Sequence, residues 1–279
     1  MAGSVPALRS RATSFAREAL KATSGLADQL RPPEVGSTIL IYHRVGSGDG
    51  SQMDLDPETF AKQMAWLAGT QRVISLDHAC SELEHDDPVE PSVVLTFDDG
   101  TSDWIRSVLP VLVLHDLPAT FYVCSGFVTG EEELPSNGRA IGWAELAELA
   151  ASPLVTIGSH THRHRLLDRL DPTELADELD RPTALIEDHL GVSPSHFAYP
   201  KAVAPSPAAA AEVRRRFRSA TLAGTRSNTA PADLHRLART PIQPSDGERW
   251  FRRKVAGGLH LEDDLRQRAN RLRYRNAKM

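Results

Sequence analysis

Short apolar runs recur along this chain, each followed by a stretch with helical spacing, and this alternation limits the fold more than any other feature. Residues 38–42, 92–97, 119–123, 155–157, 196–199, 219–222 and 237–241 read as strands, with 72–75 as a further short one. Between them, 57–68, 76–83, 103–115, 143–151, 172–190 and 207–217 carry helical periodicity. Asp171 caps the longest of these, with Pro172 at its first helical position. Strands that are apolar throughout must be covered on both faces, and strand–helix alternation supplies that cover in a parallel sheet. About seven such units predict an α/β chain closed into an irregular (β/α) barrel of about seven parallel strands.

In such a barrel, chemistry collects where strands surface at their carboxyl ends. Two strings stand there: VLTFDD at 94–99 after Val93, closed by Gly100, and GSHTHRH at 158–164. Asp98 and Asp99 point in different directions as the strand ends, so one carboxylate can bind a metal while the other reaches the metal's water. Asp-Asp-Gly also suits a solvated turn. His160 and His164 lie four residues apart and can converge on one ion if the segment turns; His162 with His164 is the alternative pair. One carboxylate and two imidazoles make a three-ligand set with a position left for water, as a hydrolytic zinc site requires.

The net charge of −5 argues against a general nucleic-acid binder. That charge is uneven: from 249 to 279 there are ten Lys/Arg against three Asp/Glu, a local +7. Only Cys80 and Cys124 are present, too few for a disulfide framework. Residues 1–36 read as a polar helical extension without the apolar core of a secretion signal, and no run approaches a membrane span. The expectation is a cytoplasmic protein with a catalytic domain at 37–245 and a basic helical tail at 246–279. That tail is a candidate for peripheral contact with anionic membrane.

The motifs resemble those of the polysaccharide deacetylase family, carbohydrate esterase family 4. TFDDG at 96–100 and H-T-x-x-H at 160–164 are similar to its two metal-site motifs, and ILIYHRVG at 39–46, LPATFYV at 117–123 and HFAYP at 196–200 look like further family segments. The FAYP form is closer to the branch acting on poly-N-acetylglucosamine than to the chitin branch. The resemblance implies zinc, or another divalent transition metal, held by Asp99, His160 and His164. Asp98 would be the base, Thr161 would brace the second motif, and His162 would stand aside. The implied reaction is hydrolysis of an N-acetyl amide on an amino sugar of a glycan or glycan precursor. Rival readings are a deformylase or deacylase of a lipid-linked or nucleotide sugar, and an inactive glycan-binding relative.

Three departures from the family pattern bear on other residues. After Tyr199 and Pro200, themselves candidate substrate-binding residues, the family branch reads Tyr-Gly, whereas this chain has Lys201 and Ala202; the Lys201 backbone N–H is the expected oxyanion donor. The arginine that many relatives place two residues before this proline is replaced by Ala198, and Arg239 is the candidate substitute. The late L-x-H motif that supplies a general acid is matched only by Leu259-His260-Leu261, in a charged segment that also suits a surface helix. His43, ending the first strand, is a further site candidate, and Trp143 either lines a sugar groove or anchors a helix start.

Overall fold

A computed structural model of the chain describes residues 5–87 and 89–275. Helix α1 (Val5–Leu30) leads into β1 (Ser37–Tyr42), the small paired strands β2 (Arg44–Val45) and β3 (Asp54–Leu55), and helices α2 (Pro57–Thr70) and α3 (Leu76–Leu83). Strand β4 (Ser92–Asp99), helix α4 (Leu109–Leu114), β5 (Ala119–Val123), α5 (Ser125–Thr129), α6 (Trp143–Ala150) and β6 (Val155–Ser159) follow. Helix α7 (Pro172–Leu190), β7 (His196–Ala198), α8 (Pro207–Arg216), β8 (Ser219–Ala223), β9 (Leu237–Pro241), α9 (Gly247–Val255) and α10 (His260–Arg275) complete the order.

Seven of these strands close a barrel in the order β1-β4-β5-β6-β7-β8-β9, every pairing parallel, as the alternation predicts. The ring is irregular. Between β6 and β7 the only paired residues are Ser159 and Phe197, whereas β1 and β4 pair over six positions. All eight residues of β4 are buried, consistent with a strand whose flanks are both covered. On one flank Tyr42, Phe97 and Phe121 form a ring stack, at 5.4 and 4.8 Å between centroids.

Two expected elements differ. Residues 72–75 make only a single bridge, Val73 to Val93, beside the barrel rather than a strand in it. The helix expected over 103–115 is broken into a wide π turn at Trp104–Val108 followed by α4. Pro110 has no N–H to offer the Arg106 carbonyl, and the ladder widens there, with Leu109 N–H donating five residues back to Trp104.

The terminal helices lie against the barrel and each other through polar contacts. Lys21 of α1 and Lys254 of α9 share Asp246, at 2.7 and 2.9 Å, all three buried. Asp28 of α1 accepts from Arg253 and from the Leu259 N–H, both at 2.9 Å.

Candidate active site

Both carboxylates are the last residues of β4, so the strand runs two residues further than its apolar pattern indicates. Asp98 is 4% exposed and meets Arg239 from β9 in a two-pronged ion pair, Nη1 to Oδ1 at 2.6 Å and Nη2 to Oδ2 at 2.8 Å. Arg239 is itself fully buried, donates to Thr96 Oγ1 at 3.0 Å and lies 5.0 Å over the Tyr122 ring. Burial opposes ionisation of Asp98, but the Arg239 guanidinium outweighs that cost and holds the carboxyl down at about 2. β9 pairs with β1 at Ile39–Arg239, which carries the guanidinium across to β4's acid.

Asp99 faces the other way. Its Oδ1 lies 3.5 Å from His160 Nε2 and 3.6 Å from His164 Nε2, and the three ligand atoms all fall within 4.8 Å of one another. An ion with tetrahedral bonds of about 2.0–2.1 Å separates its ligands by roughly 3.4 Å, close to both Asp99–histidine separations. His160 Nδ1 donates to the Ala198 carbonyl at 2.7 Å, which leaves the Nε2 lone pair for the ion. Burial pushes His164 down to about 4, so its ring is neutral and able to ligate. Nothing else among the described residues forms such a donor cluster.

The backbone here is bent where side chains normally forbid it. Asp99, Thr161, His164 and Lys201 all have positive φ, at 83°, 66°, 56° and 54°, and for β-branched Thr161 that is an outlier. Such strain persists only where surroundings over-determine it, and it collects at functional sites. The bracing is visible: Thr161 Oγ1 accepts from the His164 N–H at 3.0 Å, and buried Glu178 of α7 accepts from the N–H groups of His162 and Arg163 at 3.1 and 2.8 Å. From the other side, Ser125 and Gly126 N–H groups donate to the Thr161 and His162 carbonyls.

His162 is no bystander in this arrangement. It is fully buried, donates through Nε2 to Glu131 at 3.3 Å and takes Ser125 Oγ–H on Nδ1 at 2.8 Å. Glu131 is in turn held by Arg181. Helix α5, which supplies Ser125, leaves no periodicity in the sequence because 125–129 is too short and too small-sided.

The remaining candidates divide. His43 and Lys201 lie near enough to interact electrostatically with Asp98 and His164 respectively. The Tyr199 ring instead packs against Phe197 at 5.2 Å in the core under α8, and burial pushes its phenol up to about 12. Pro200 opens a short turn after it. Trp143 stacks on His189 of α7, centroids 4.2 Å apart, with one ring face thereby covered. His260 begins α10 and bonds the Gly257 carbonyl, in a cleft with Ala27 and Arg31 of the α1 end.

Fold and site together define a (β/α) barrel with a hydrolase-type pairing of an ionised acid and a candidate metal cluster. Residues 85–217, a little under half of the chain, match the family model for polysaccharide deacetylase. The match stops before β8 and β9, and so before Arg239. YxkH of Bacillus subtilis is 25% identical over 58% of this chain and 55% of its own length. A poly-beta-1,6-N-acetyl-D-glucosamine N-deacetylase of Escherichia coli K12 is 28% identical over 46% of this chain and 21% of that protein. The chain thus spans about half, or less, of the length of these curated relatives. The solved structure of IcaB from Ammonifex degensii superposes with a TM-score of 0.67 at 25% identity, covering 78% of this chain and 98% of that one.

Proposed function

We propose that the protein hydrolyses the N-acetyl amide of an amino sugar in a glycan or glycan precursor, releasing acetate, with zinc held by Asp99, His160 and His164. The observation that carries this reading is Asp98, kept ionised by Arg239 immediately beside the donor cluster. Two imidazoles and one carboxylate favour zinc over oxygen-seeking cations such as magnesium. Held by these residues, zinc would supply Lewis acidity, polarising the acetamide carbonyl and lowering the pKa of the attacking water toward ~7.

Asp98 takes the water's proton. A carboxyl held at about 2 is a weak base, and it serves because that proton becomes strongly acidic as the new C–O bond forms. Arg239 keeps both oxygens aimed, each retaining a lone pair for the transfer. The Lys201 N–H, in a backbone turned by a positive φ, is the proposed donor to the oxyanion. The departing amine needs a proton, and His43 is the site imidazole left free of ligand duty. The E. coli relative's named substrate, poly-beta-1,6-N-acetyl-D-glucosamine, supports an N-acetylglucosamine-type sugar.

Acetate release from N-acetylglucosamine oligomers by the zinc-loaded chain tests the reading. Asp98→Asn should abolish turnover while zinc stays bound. Turnover that survives this substitution removes Asp98 as the base, and an inert wild-type chain favours a glycan-binding relative instead.

A further inference from the structure

Among their described side chains, helices α1 and α10 bury polar residues and expose leucines. On α1 the stripe Lys21, Ser24 and Asp28 is buried, at 1%, 0% and 4% exposure, while Leu26 and Leu30 stand out at 62% and 91%. On α10, Asp263 is buried whereas Leu261, Leu265 and Leu272 are 37%, 43% and 70% exposed. Spacings of four and seven residues put these three leucines on one stripe, with exposed Arg268 between them. A helix normally buries its apolar face and solvates its polar one. The two helices adjoin, since Ser24 Oγ accepts from the Glu262 N–H and Leu261 lines one cleft with Ala27 and Arg31. Polar residues fasten both helices inward, and these leucines remain exposed.

We propose that this face docks on an anionic lipid bilayer surface. Charge favours this partner. Residues 1–36 carry +2 and 249–279 carry +7, which leaves −14 on 37–248. Leucines set among cations match the boundary between acyl chains and anionic headgroups, where long basic side chains reach back to the phosphates. The same basic charge on two copies would repel, which disfavours self-association through this face. The acidic barrel is held off such a surface by its own charge, so the contact would fall at the terminal helices. No helix among the described residues is long and apolar enough to cross a membrane, so the contact is peripheral.

The test is co-sedimentation of the full chain with vesicles of phosphatidylcholine alone and with 30–40% phosphatidylglycerol added, as a rough working range for an anionic surface. Binding is expected only with the anionic lipid. The variant Leu26→Ser/Leu30→Ser/Leu265→Ser/Leu272→Ser should weaken it by about 100-fold, and Arg268→Glu by about 10-fold. All five positions are exposed, so melting temperature and turnover of a soluble substrate should stay unchanged. Failure to bind anionic vesicles, binding that the leucine variant leaves intact, or a dimer in solution that the leucine variant dissolves each overturns the proposal. None of these outcomes bears on whether the barrel deacetylates a sugar.

Discussion

Replacing Arg239 by glutamine isolates the electrostatic device on which the proposed base depends. With the guanidinium in place, Asp98 is held at about 2 against an ordinary 3.8, which at 1.36 kcal/mol per unit corresponds to roughly 2–3 kcal/mol of folded-state preference for the ionised acid. Because the folded value is the lower one, this stabilisation is present above the unfolded pKa and is lost as pH falls through about 4 toward 2. In Arg239→Gln the burial that now opposes ionisation acts without its counter-charge, and the pKa moves up; unpartnered buried carboxyls rise by up to ~3–5 units. The acid limb of the kcat/KM profile should therefore climb toward neutrality. Each unit of rise removes a factor of ten in ionised base at pH values below it. Breaking a buried pair costs about 3–5 kcal/mol, so the variant should also melt earlier at pH 7, with Arg239→Lys recovering part of both effects. The assay is acetate release from N-acetylglucosamine oligomers between pH 5 and 9, alongside thermal unfolding. A variant whose acid limb coincides with that of the wild type refutes the claim that Arg239 sets the ionisation of Asp98.

The bracing of the second motif gives two further expectations. A Cβ added at Gly126 would sit 2.3 Å from the His162 carbonyl oxygen, so Gly126→Ala must push that backbone away; a loss of about 1–3 kcal/mol of stability, with zinc bound less tightly, is expected by unfolding and competitive metal titration. Glu178→Ala strips the His162 and Arg163 N–H groups of their buried acceptor at a cost of about 1–3 kcal/mol each, which should loosen the strained turn at Thr161 and lower zinc affinity more than Leu-to-Ala changes elsewhere on α7 do. Equal zinc affinity in these variants and the wild type contradicts the bracing.

Much of the barrel was legible because a strand covered on both faces has to be apolar along its length, and residues 92–97 and 119–123 satisfy that without ambiguity. The pairing of two carboxylates with spaced histidines was legible for a similar reason: metal ligation needs a small set of side chains at strand ends. Arg239 was harder. A cation in the short strand 237–241 looks like an edge residue until the register places it beside β1 and opposite Asp98. His162 was underestimated because its role lies in contacts with Ser125 and Glu131, which are 37 and 31 residues away in sequence. The π turn before α4 and the outward leucines of α1 escaped the sequence pattern as well. The first depends on where one proline falls in a hydrogen-bond ladder, and the second on polar contacts made by residues more than 200 positions apart, as from Asp28 to Arg253.

On the proposed mechanism, Asp99, His160 and His164 hold a single ion on which amide hydrolysis depends. That dependence is tested most directly by titrating zinc into metal-stripped protein while acetate release and bound metal are measured on the same samples. Activity should rise in proportion to bound zinc and level off at one equivalent per chain, and His160→Ala should bind no tightly held zinc and release no acetate. Full turnover in the stripped protein, or stoichiometric zinc bound by His160→Ala, would contradict the account.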